Sequence, residues 1–269
     1  MQTPEIIING EAGNSISSLD RGLLYGDGVF ETIVIKQGKP EYYQAHLSRL
    51  MHGCDVLGIS AVDQTILTSE LEQLIDTDQQ CVIKIILTRG IGNRGYKPTQ
   101  ANPSRILQKF SWPDFPASYK ESGIDVTLCN FRLAKQSKLA KIKHLNRLEQ
   151  VLARSEWQDE FQEGLVCDED NRIIEATSAN VFFQINDMLV TPEIDSCGVA
   201  GVLREQVINY CRSQNIELLI RDVVLNELDK VQAMFLCNSV IGIWPVKRID
   251  QRILDKTAII YKLLTVFKN

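Results

Sequence analysis

Two prolines three residues apart mark the stretch Trp112-Pro113-Asp114-Phe115-Pro116-Ala117. Proline fixes its own backbone and lacks an N–H, so this stretch continues neither a helix nor a central strand. The length of 269 residues suits two modest domains. We therefore predict a linker at residues 114–117, a smaller domain at residues 1–113 and a larger domain at residues 118–269.

The part before the linker alternates strand and helix patterns. Asn9-Gly10 is a turn pair between two apolar runs and predicts an N-terminal hairpin. A second hairpin is predicted around Gln37-Gly38, and a helix with an apolar face from Leu47 to Leu57 ends at Gly58. The remaining predictions are a helix at 66–75 and strands at 81–87 and 106–112. The smaller domain is thus a compact α/β unit.

The part after the linker is richer in strands. Strands are predicted at 126–129, 163–167, 172–176, 181–185, 188–191, 216–220 and 233–236. Helices are predicted at 145–155, 202–212 and 255–267. This pattern favours a mixed α/β (α+β) fold, in which helices lie outside a strand-rich, barrel-like sheet of the larger domain.

Composition excludes several classes of partner. Hydrophobic residues make up 44% and charged residues 23%, as in ordinary globular proteins. The net charge is -5 and the chain has no basic block, so we expect no nucleic acid and no anionic membrane as partner. No apolar run reaches the roughly 18 residues of a membrane helix.

Cysteine usage and the first residues indicate the compartment. The seven cysteines are scattered, odd in number and without a C-x-x-C pair, which argues against a disulfide framework. The first residues, Met1–Glu5, have no basic segment followed by an apolar one, so no signal peptide is predicted. A reducing cytoplasm fits these features.

Two familiar kinds of site are excluded by their context. Residues Gly90–Gly95 spell G-x-G-x-x-G after a predicted strand, but a proline-containing loop follows where a dinucleotide site needs a helix. The histidines, His46, His52 and His144, form no H-E-x-x-H motif, so no metal site is predicted.

Three charged residues stand beside apolar sequence: Lys143, Glu175 and Arg49. Taken singly, each is more often a surface ion pair than a functional group. Together they offer a lysine that can attack an aldehyde, a carboxylate that can keep a ring nitrogen protonated and an arginine that can clamp a phosphate. Those are the groups that pyridoxal 5'-phosphate (PLP) requires of a protein.

Several dispersed motifs resemble, in order, those of the fold-type IV PLP enzymes. They are Asp20-Arg21-Gly22 with Tyr25–Thr32, Ala45–Leu50, Ile142–Arg147, Glu175–Phe182 and Gly201–Arg204. The resemblance runs from about residue 6 to residue 246. It implies a two-domain enzyme with PLP as cofactor, a larger PLP-binding domain and a homodimer in which a partner residue can complete each pocket.

Within that family, residues Lys143–Leu152 and Arg89–Tyr96 resemble the aminodeoxychorismate lyases. Branched-chain aminotransferases tend to have a glycine pair and a tyrosine after the lysine, and D-amino-acid aminotransferases favour R-x-H where this chain has Arg94-Gly95-Tyr96. The resemblance implies conversion of 4-amino-4-deoxychorismate, a small dianion, into 4-aminobenzoate and pyruvate. An aminotransferase of either kind remains the alternative.

The resemblance also assigns the cofactor-binding roles. Lys143 is implied as the catalytic lysine that binds PLP, in preference to Lys141, which does not match the motif. Glu175 is implied to pair with the pyridine nitrogen. Arg49 is implied to bind the phosphate, together with the backbone N–H groups of Val202 and Leu203 at the start of a helix.

The remaining assignments leave alternatives open. Asn238 or Ser239 is a candidate for a further bond to the phosphate, and Asn180 is as well explained by a structural turn amide as by cofactor contact. Arg94 and Tyr96 are the candidates for binding a substrate carboxylate, with Arg89 in reserve.

Overall fold

The computed structural model describes residues 5–60, 62–77, 79–98 and 102–267. Contacts between Cα atoms divide the chain into two units between Asp114 and Phe115, within the stretch 112–116 that has neither helix nor strand. The first unit also includes Ile142–Asn146, and the second consists of Phe115–Lys141 and the residues from Arg147 onward. The segment that carries Lys143 therefore packs with the first unit.

The first unit is a six-stranded antiparallel sheet with helices. Its strands are β1 (Glu5–Ile8), β2 (Glu11–Ala12), β3 (Gly28–Lys36), β4 (Lys39–Pro40), β5 (Cys81–Thr88) and β6 (Ser104–Ser111). They lie in the order β2-β1-β6-β5-β3-β4. Its helices are α1 (Arg21–Tyr25), α2 (Tyr43–Leu57) and α3 (Gln64–Glu72).

Alternation along β3 gives the two faces of this sheet different roles. Val29 and Ile33 are buried in a core with Leu47 and Leu50 of α2. Phe30 and the residues two positions apart from it point to the other face, where Val34 is also buried. The first face thus builds the core of this unit.

The predicted turns and helix end in this unit are confirmed. Asn9 and Gly10 adopt φ of 53° and 91° between β1 and β2, as the hairpin requires. Gly58 ends α2 with φ of 63°, a conformation that glycine adopts without strain. Within the described residues from Gly90 to Pro98 no helix begins, as the proline-containing loop after the G-x-G-x-x-G sequence predicted.

The second unit is a nine-stranded mixed sheet. Its strands are β7 (Ile124–Leu133), β8 (Glu163–Asp168), β9 (Ile173–Ala176), β10 (Asn180–Ile185), β11 (Met188–Thr191), β12 (Leu218–Ile220), β13 (Val231–Asn238), β14 (Gly242–Ile249) and β15 (Arg252–Ile253). The order is β12-β11-β10-β13-β14-β7-β8-β9, with β15 beside β14. Pairs β11–β12, β14–β7 and β7–β8 are parallel.

Helices cover this sheet as the sequence predicted. They are α4 (Ser118–Glu121), α5 (Leu148–Arg154), α6 (Val202–Ser213) and α7 (Ala258–Val266), with a 3-10 helix at Leu225–Lys230. Phe182 of β10 packs with Leu203 of α6 and Leu263 of α7, whereas its neighbour Phe183 belongs to a second cluster of buried side chains. The strand-rich, mixed α/β fold is confirmed. No helix among the described residues is both long and apolar enough to span a membrane.

One predicted helix start in this part of the chain was wrong, and strand β14 was not predicted. The helix predicted from residue 145 begins only at Leu148, because the segment before it is paired with β3, where Leu145 donates its N–H to the Gly28 carbonyl oxygen. Strand β14 was not predicted, since it contains Pro245 and proline is rare in central strands. Pairing of β14 with β7 starts at Val246, so Pro245 lies outside that ladder.

Candidate active site

The predicted catalytic lysine lies in the segment Ile142–Asn146, which runs beside β3. The Phe30 N–H donates to the Lys143 carbonyl oxygen at 2.9 Å, and the Leu145 N–H donates to the Gly28 carbonyl oxygen at 3.0 Å. The Lys143 Nζ lies 4.5 Å from the centroid of the Phe30 ring, where the face of the ring attracts an ammonium. The sheet of the first unit therefore fixes both the backbone and the amine of Lys143.

Two glycines allow this segment to approach so closely. A Cβ on Gly28 would lie 2.4 Å from the Leu87 carbonyl oxygen and 2.7 Å from the Leu145 side chain. Gly26 has φ of 64°, and a Cβ there would lie 2.5 Å from Oδ1 of Asn146, whose Nδ2 donates to the Gly26 carbonyl oxygen at 3.0 Å. The glycines of the sequence Tyr25-Gly26-Asp27-Gly28 are thus needed to seat the lysine segment.

The predicted phosphate arginine is held by a buried carboxylate of β3. Arg49 donates from Nε to Oε1 of Glu31 at 2.7 Å and from Nη2 to Oε2 at 2.5 Å. His46, one turn earlier on α2, contacts Oε2 through Nδ1 at 2.7 Å. Burial alone would raise the pKa of Glu31, but Arg49 and His46 outweigh it and lower the pKa. Glu31 therefore stays ionised and fixes the orientation of Arg49.

A second lysine, Lys84, approaches the same aromatic ring, and no motif predicted it. Its Nζ lies 5.0 Å from the centroid of the Phe30 ring, and Lys84 pairs with Thr32 across β5 and β3. Burial lowers the pKa of its ammonium. Among the described residues, nothing forms an ion pair or hydrogen bond with that ammonium. A charge inside the apolar run Cys81–Leu87 was the signal that could have revealed it.

The loop after β5 places its three candidates in different environments. Arg94 is exposed and Tyr96 is 87% exposed. Arg89 is buried, and it donates to Asp27 at 2.7 and 3.0 Å and to two carbonyl oxygens at the end of α2 at 2.6 Å each. Arg89 therefore supports the structure of the loop, while Arg94 and Tyr96 are accessible to a ligand.

The predicted partner of the pyridine nitrogen, Glu175, lies at the end of β9 and is 5% exposed. Its Oε2 accepts the Val199 N–H at 2.9 Å. Burial lowers the pKa of the neighbouring Arg147, and the Glu175 carboxylate acts in the opposite direction. Glu175 is thus a buried carboxylate in the field of a cation, which suits a group that must stay negatively charged.

The predicted phosphate cradle is the N-terminus of α6. Gly201 is the N-cap, and no side chain caps this end, so the first N–H groups, those of Val202 and Leu203, have no partner within the helix. Asn180 donates from Nδ2 to the Val199 carbonyl oxygen at 2.9 Å. Asn180 therefore shapes the loop before α6, which is the structural role that the sequence left open.

The turn between β13 and β14 uses the side chain of Asn238. Its Oδ1 accepts the N–H groups of Val240 and Ile241 at 2.8 and 2.9 Å, and its Nδ2 donates to the Ser178 carbonyl oxygen at 3.0 Å. The amide thus caps its own turn. Ser239, the other candidate, lies within that turn.

The chemistry of these groups fits PLP. An amine binds an aldehyde, cations and helix N-termini bind phosphate, and a carboxylate stabilises a protonated ring nitrogen.

Comparisons with known proteins indicate the family of this chain. Residues 28–249 match the profile of the family described as amino-transferase class IV. The chain is 35% identical to an aminodeoxychorismate lyase of Vibrio harveyi over 90% of each chain. It is 40% identical to the crystal structure of 4-amino-4-deoxychorismate lyase from Pseudomonas aeruginosa, with a TM-score of 0.92 over 97% of each chain.

A more distant likeness concerns the fold alone. A hypothetical aminotransferase from Mycobacterium tuberculosis, solved in a PLP-bound form, is 17% identical with a TM-score of 0.83 over 98% of this chain and 97% of that one. The match to the family profile and the identity to the two lyases lead to one conclusion. This chain belongs to the class IV aminotransferase family of PLP-dependent enzymes.

Proposed function

We propose that this protein is a PLP-dependent lyase that converts 4-amino-4-deoxychorismate into 4-aminobenzoate and pyruvate. The observation that carries the proposal is the 40% identity over 97% of the chain to a solved lyase of that specificity. The loop Arg89–Tyr96, with two accessible residues that suit a carboxylate, supports the choice.

In the proposed site Lys143 binds the cofactor and Glu175 holds a negative charge at its ring nitrogen. Arg49 and the N–H groups of Val202 and Leu203 bind the phosphate, and Asn238 or Ser239 adds a bond from the turn after β13. Bound PLP supplies an electron sink for the bond that breaks.

The proton transfers are assigned to the amine of Lys143. With the substrate bound, the Lys143 Nζ would remove the proton from the ring carbon that bears nitrogen. The bond between the neighbouring ring carbon and the ether oxygen then breaks, and the ring becomes aromatic. The Lys143 Nζ or a water would give a proton to the CH2 carbon of the departing enolate, which becomes pyruvate. Because aromatisation of the ring supplies the driving force, the main tasks of the protein are to position the substrate and to transfer its protons.

The two substrate carboxylates need cations. Arg94 and Tyr96 are assigned to one carboxylate, and Arg89 stays in reserve because its guanidinium already binds Asp27. Lys84 is a further candidate cation, because its ammonium, like that of Lys143, lies within 5.0 Å of the centroid of the Phe30 ring.

Two assays separate this function from its alternative, a D-amino-acid or branched-chain aminotransferase. With aminodeoxychorismate the lyase releases 4-aminobenzoate and pyruvate in equal amounts over many turnovers. In single-turnover mixing with D-alanine or leucine, a lyase converts its bound cofactor to the amine form slowly and to a small extent. Fast and complete conversion without release of 4-aminobenzoate would overturn the proposal in favour of the aminotransferase.

We further propose a homodimer in the cytoplasm, without nucleic acid or membrane as partner. The family resemblance supports the dimer, and seven cysteines that are all free and buried support a reducing compartment. Light scattering during size-exclusion chromatography tests the dimer, which a mass of 30.4 kDa in solution would contradict.

A further inference from the structure

A buried arginine outside the proposed site controls the loop that carries Arg94 and Tyr96. Arg21 is the first residue of α1 and is 3% exposed. It donates from Nη1 to the Gly95 carbonyl oxygen at 2.9 Å and from Nη2 to the Tyr96 carbonyl oxygen at 3.4 Å. One guanidinium therefore holds two consecutive peptide groups of the loop.

The other residue of α1 that reaches this loop is Tyr25. Its Oη accepts the Gly95 N–H at 3.0 Å, and its ring meets the ring of Tyr96 edge-on with centroids 5.7 Å apart. Arg21 stacks on Tyr25, with Cζ 4.7 Å from the ring centroid. Both polar groups of Gly95 are thus bound by α1.

Within the described residues, side-chain packing does little to define the loop around Gly95. Gly95 has φ of 102°, and a Cβ built on it would meet nothing within 4 Å. Arg94 and Tyr96, on either side of it, are exposed. Packing therefore does not fix the peptide groups beside Arg94, and the contacts from α1 do.

The guanidinium of Arg21 is itself anchored. Its Nε donates to Oδ2 of Asp27 at 2.9 Å, and the same oxygen accepts from Nε of Arg89 at 2.7 Å. Burial alone would raise the pKa of Asp27, but hydrogen bonds from Arg89 and Arg21 outweigh it and lower the pKa. The carboxylate stays ionised between the two arginines. Because Arg89 also binds the end of α2, the loop is connected to that helix.

We propose that Arg21 is a positioning residue, which fixes the Gly95–Tyr96 peptide groups so that Arg94 is oriented toward a substrate carboxylate. This inference rests on the proposed function, in which Arg94 and Tyr96 bind that carboxylate. Lysine cannot replace Arg21, because a single ammonium does not span two carbonyl oxygens and a carboxylate in the geometry of a guanidinium fork.

Steady-state kinetics of Arg21→Lys with aminodeoxychorismate test the inference. We expect KM to rise about tenfold, since misplacing a binding group by about 1 Å costs this much or more, while kcat changes less than twofold and the visible absorbance of the bound cofactor is unchanged. Tyr25→Phe is a milder change, because it removes only the hydroxyl that accepts the Gly95 N–H. We expect it to raise KM by a smaller factor than Arg21→Lys.

Arg105→Lys is the matched control. Arg105 is also a partly buried arginine of the first unit, and it makes a two-pronged ion pair with Glu70. If lost stability alone caused the kinetic change, Arg105→Lys would raise KM as well. We expect its KM to stay at the wild-type value.

A double-mutant cycle with Arg94→Gln separates the possible failures. We expect Arg94→Gln to raise KM and Arg21→Lys to raise it no further in that background, because the two residues act through one contact. If Arg21→Lys raised KM by the same factor in the wild type and in Arg94→Gln, the positioning role of Arg21 would be overturned. The proposed role of Arg94 would be unaffected by that result. An unchanged KM in Arg94→Gln itself would overturn the carboxylate role of Arg94 in the proposed function, and the route assigned to Arg21 with it.

Discussion

Glu31 and Arg49 form a two-pronged ion pair in the first unit, with N···O distances of 2.7 and 2.5 Å and a carboxylate that is fully buried. The predicted phosphate-binding arginine is therefore oriented by β3 before any ligand arrives. A cation held in place in this way loses little conformational freedom on binding an anion, which strengthens binding.

Glu31→Gln is expected to lower the free energy of unfolding by about 3 kcal/mol, because a buried ion pair is broken from one side. Cofactor affinity should fall in a PLP titration. The low pKa of Glu31 makes its contribution fully present above its ordinary value of 4.5 and removes it as pH falls through the folded pKa. The two proteins should thus converge in stability in acid. Glu70→Gln is the control, with a similar loss of stability and an unchanged PLP affinity.

Lys84→Met is expected to raise KM for aminodeoxychorismate about tenfold, the effect of losing one charged hydrogen bond of about 1.5 kcal/mol, whereas Lys84→Arg should retain most of the affinity. Lys84→Met should also be more stable than the wild type at pH 7. Burial lowers the pKa of Lys84, so its ammonium destabilises the fold below the ordinary pKa of 10.5, and this penalty disappears as pH rises toward that value. An unchanged KM in Lys84→Met would remove Lys84 from the site.

Glu163 at the start of β8 shapes the loop that follows Glu175. It accepts hydrogen bonds from the hydroxyls of Thr177, at 2.5 Å, and of Ser178, and burial raises its pKa. Its stabilising contribution is therefore complete below the ordinary pKa of 4.5 and is lost as pH rises through the folded pKa.

Glu163→Gln should consequently match the wild type in denaturant unfolding at pH 4 and exceed it at pH 8. Glu163→Ala should lose about 2 kcal/mol at pH 4, because the two hydroxyls lose their buried partner, and less at pH 8, where the contribution of Glu163 has fallen. A Gln variant that is less stable than the wild type at pH 8 would show that the carboxylate is needed in its ionised form.

Gly201→Ala should disrupt the N-terminus of α6. The new Cβ would lie 1.9 Å from Oδ1 of Asn180, so Asn180 must move, at a cost of about 1–3 kcal/mol. We expect PLP to bind at least about tenfold more weakly, because the helix N–H groups shift. Gly13→Ala, where a Cβ meets nothing within 4 Å, is the control. Normal PLP affinity in Gly201→Ala would argue against phosphate binding at this helix.

Local patterns predicted most elements, and contacts between distant residues explain what they missed. Asn9-Gly10 and Gly58 carry their own turn chemistry, so the hairpin and the end of α2 were readable from the sequence. The start of α5 was not, since it depends on a bond from Leu145 to Gly28, more than one hundred residues away. Strand β14 was not readable from the sequence either. Its pairing with β7 begins at Val246, after Pro245, and that distant pairing leaves no local pattern.

The candidate site divides in the same way. Lys143, Glu175 and Arg49 lie in short motifs and could be named from the sequence. The position of Lys84 beside Phe30 depends on the register between β5 and β3. The contacts of Arg21 depend on a loop some seventy residues away. No local sequence pattern specifies either arrangement.

The central claim is that Lys143 is the catalytic lysine of an aminodeoxychorismate lyase, and Lys141, two residues earlier and exposed, provides the matched control. The measurement is release of 4-aminobenzoate from aminodeoxychorismate by purified wild type, Lys143→Ala and Lys141→Ala with PLP present. We predict comparable release by the wild type and Lys141→Ala, and a loss of at least about a thousandfold in Lys143→Ala. Release at the wild-type rate by Lys143→Ala, or none by the wild type, would contradict the claim.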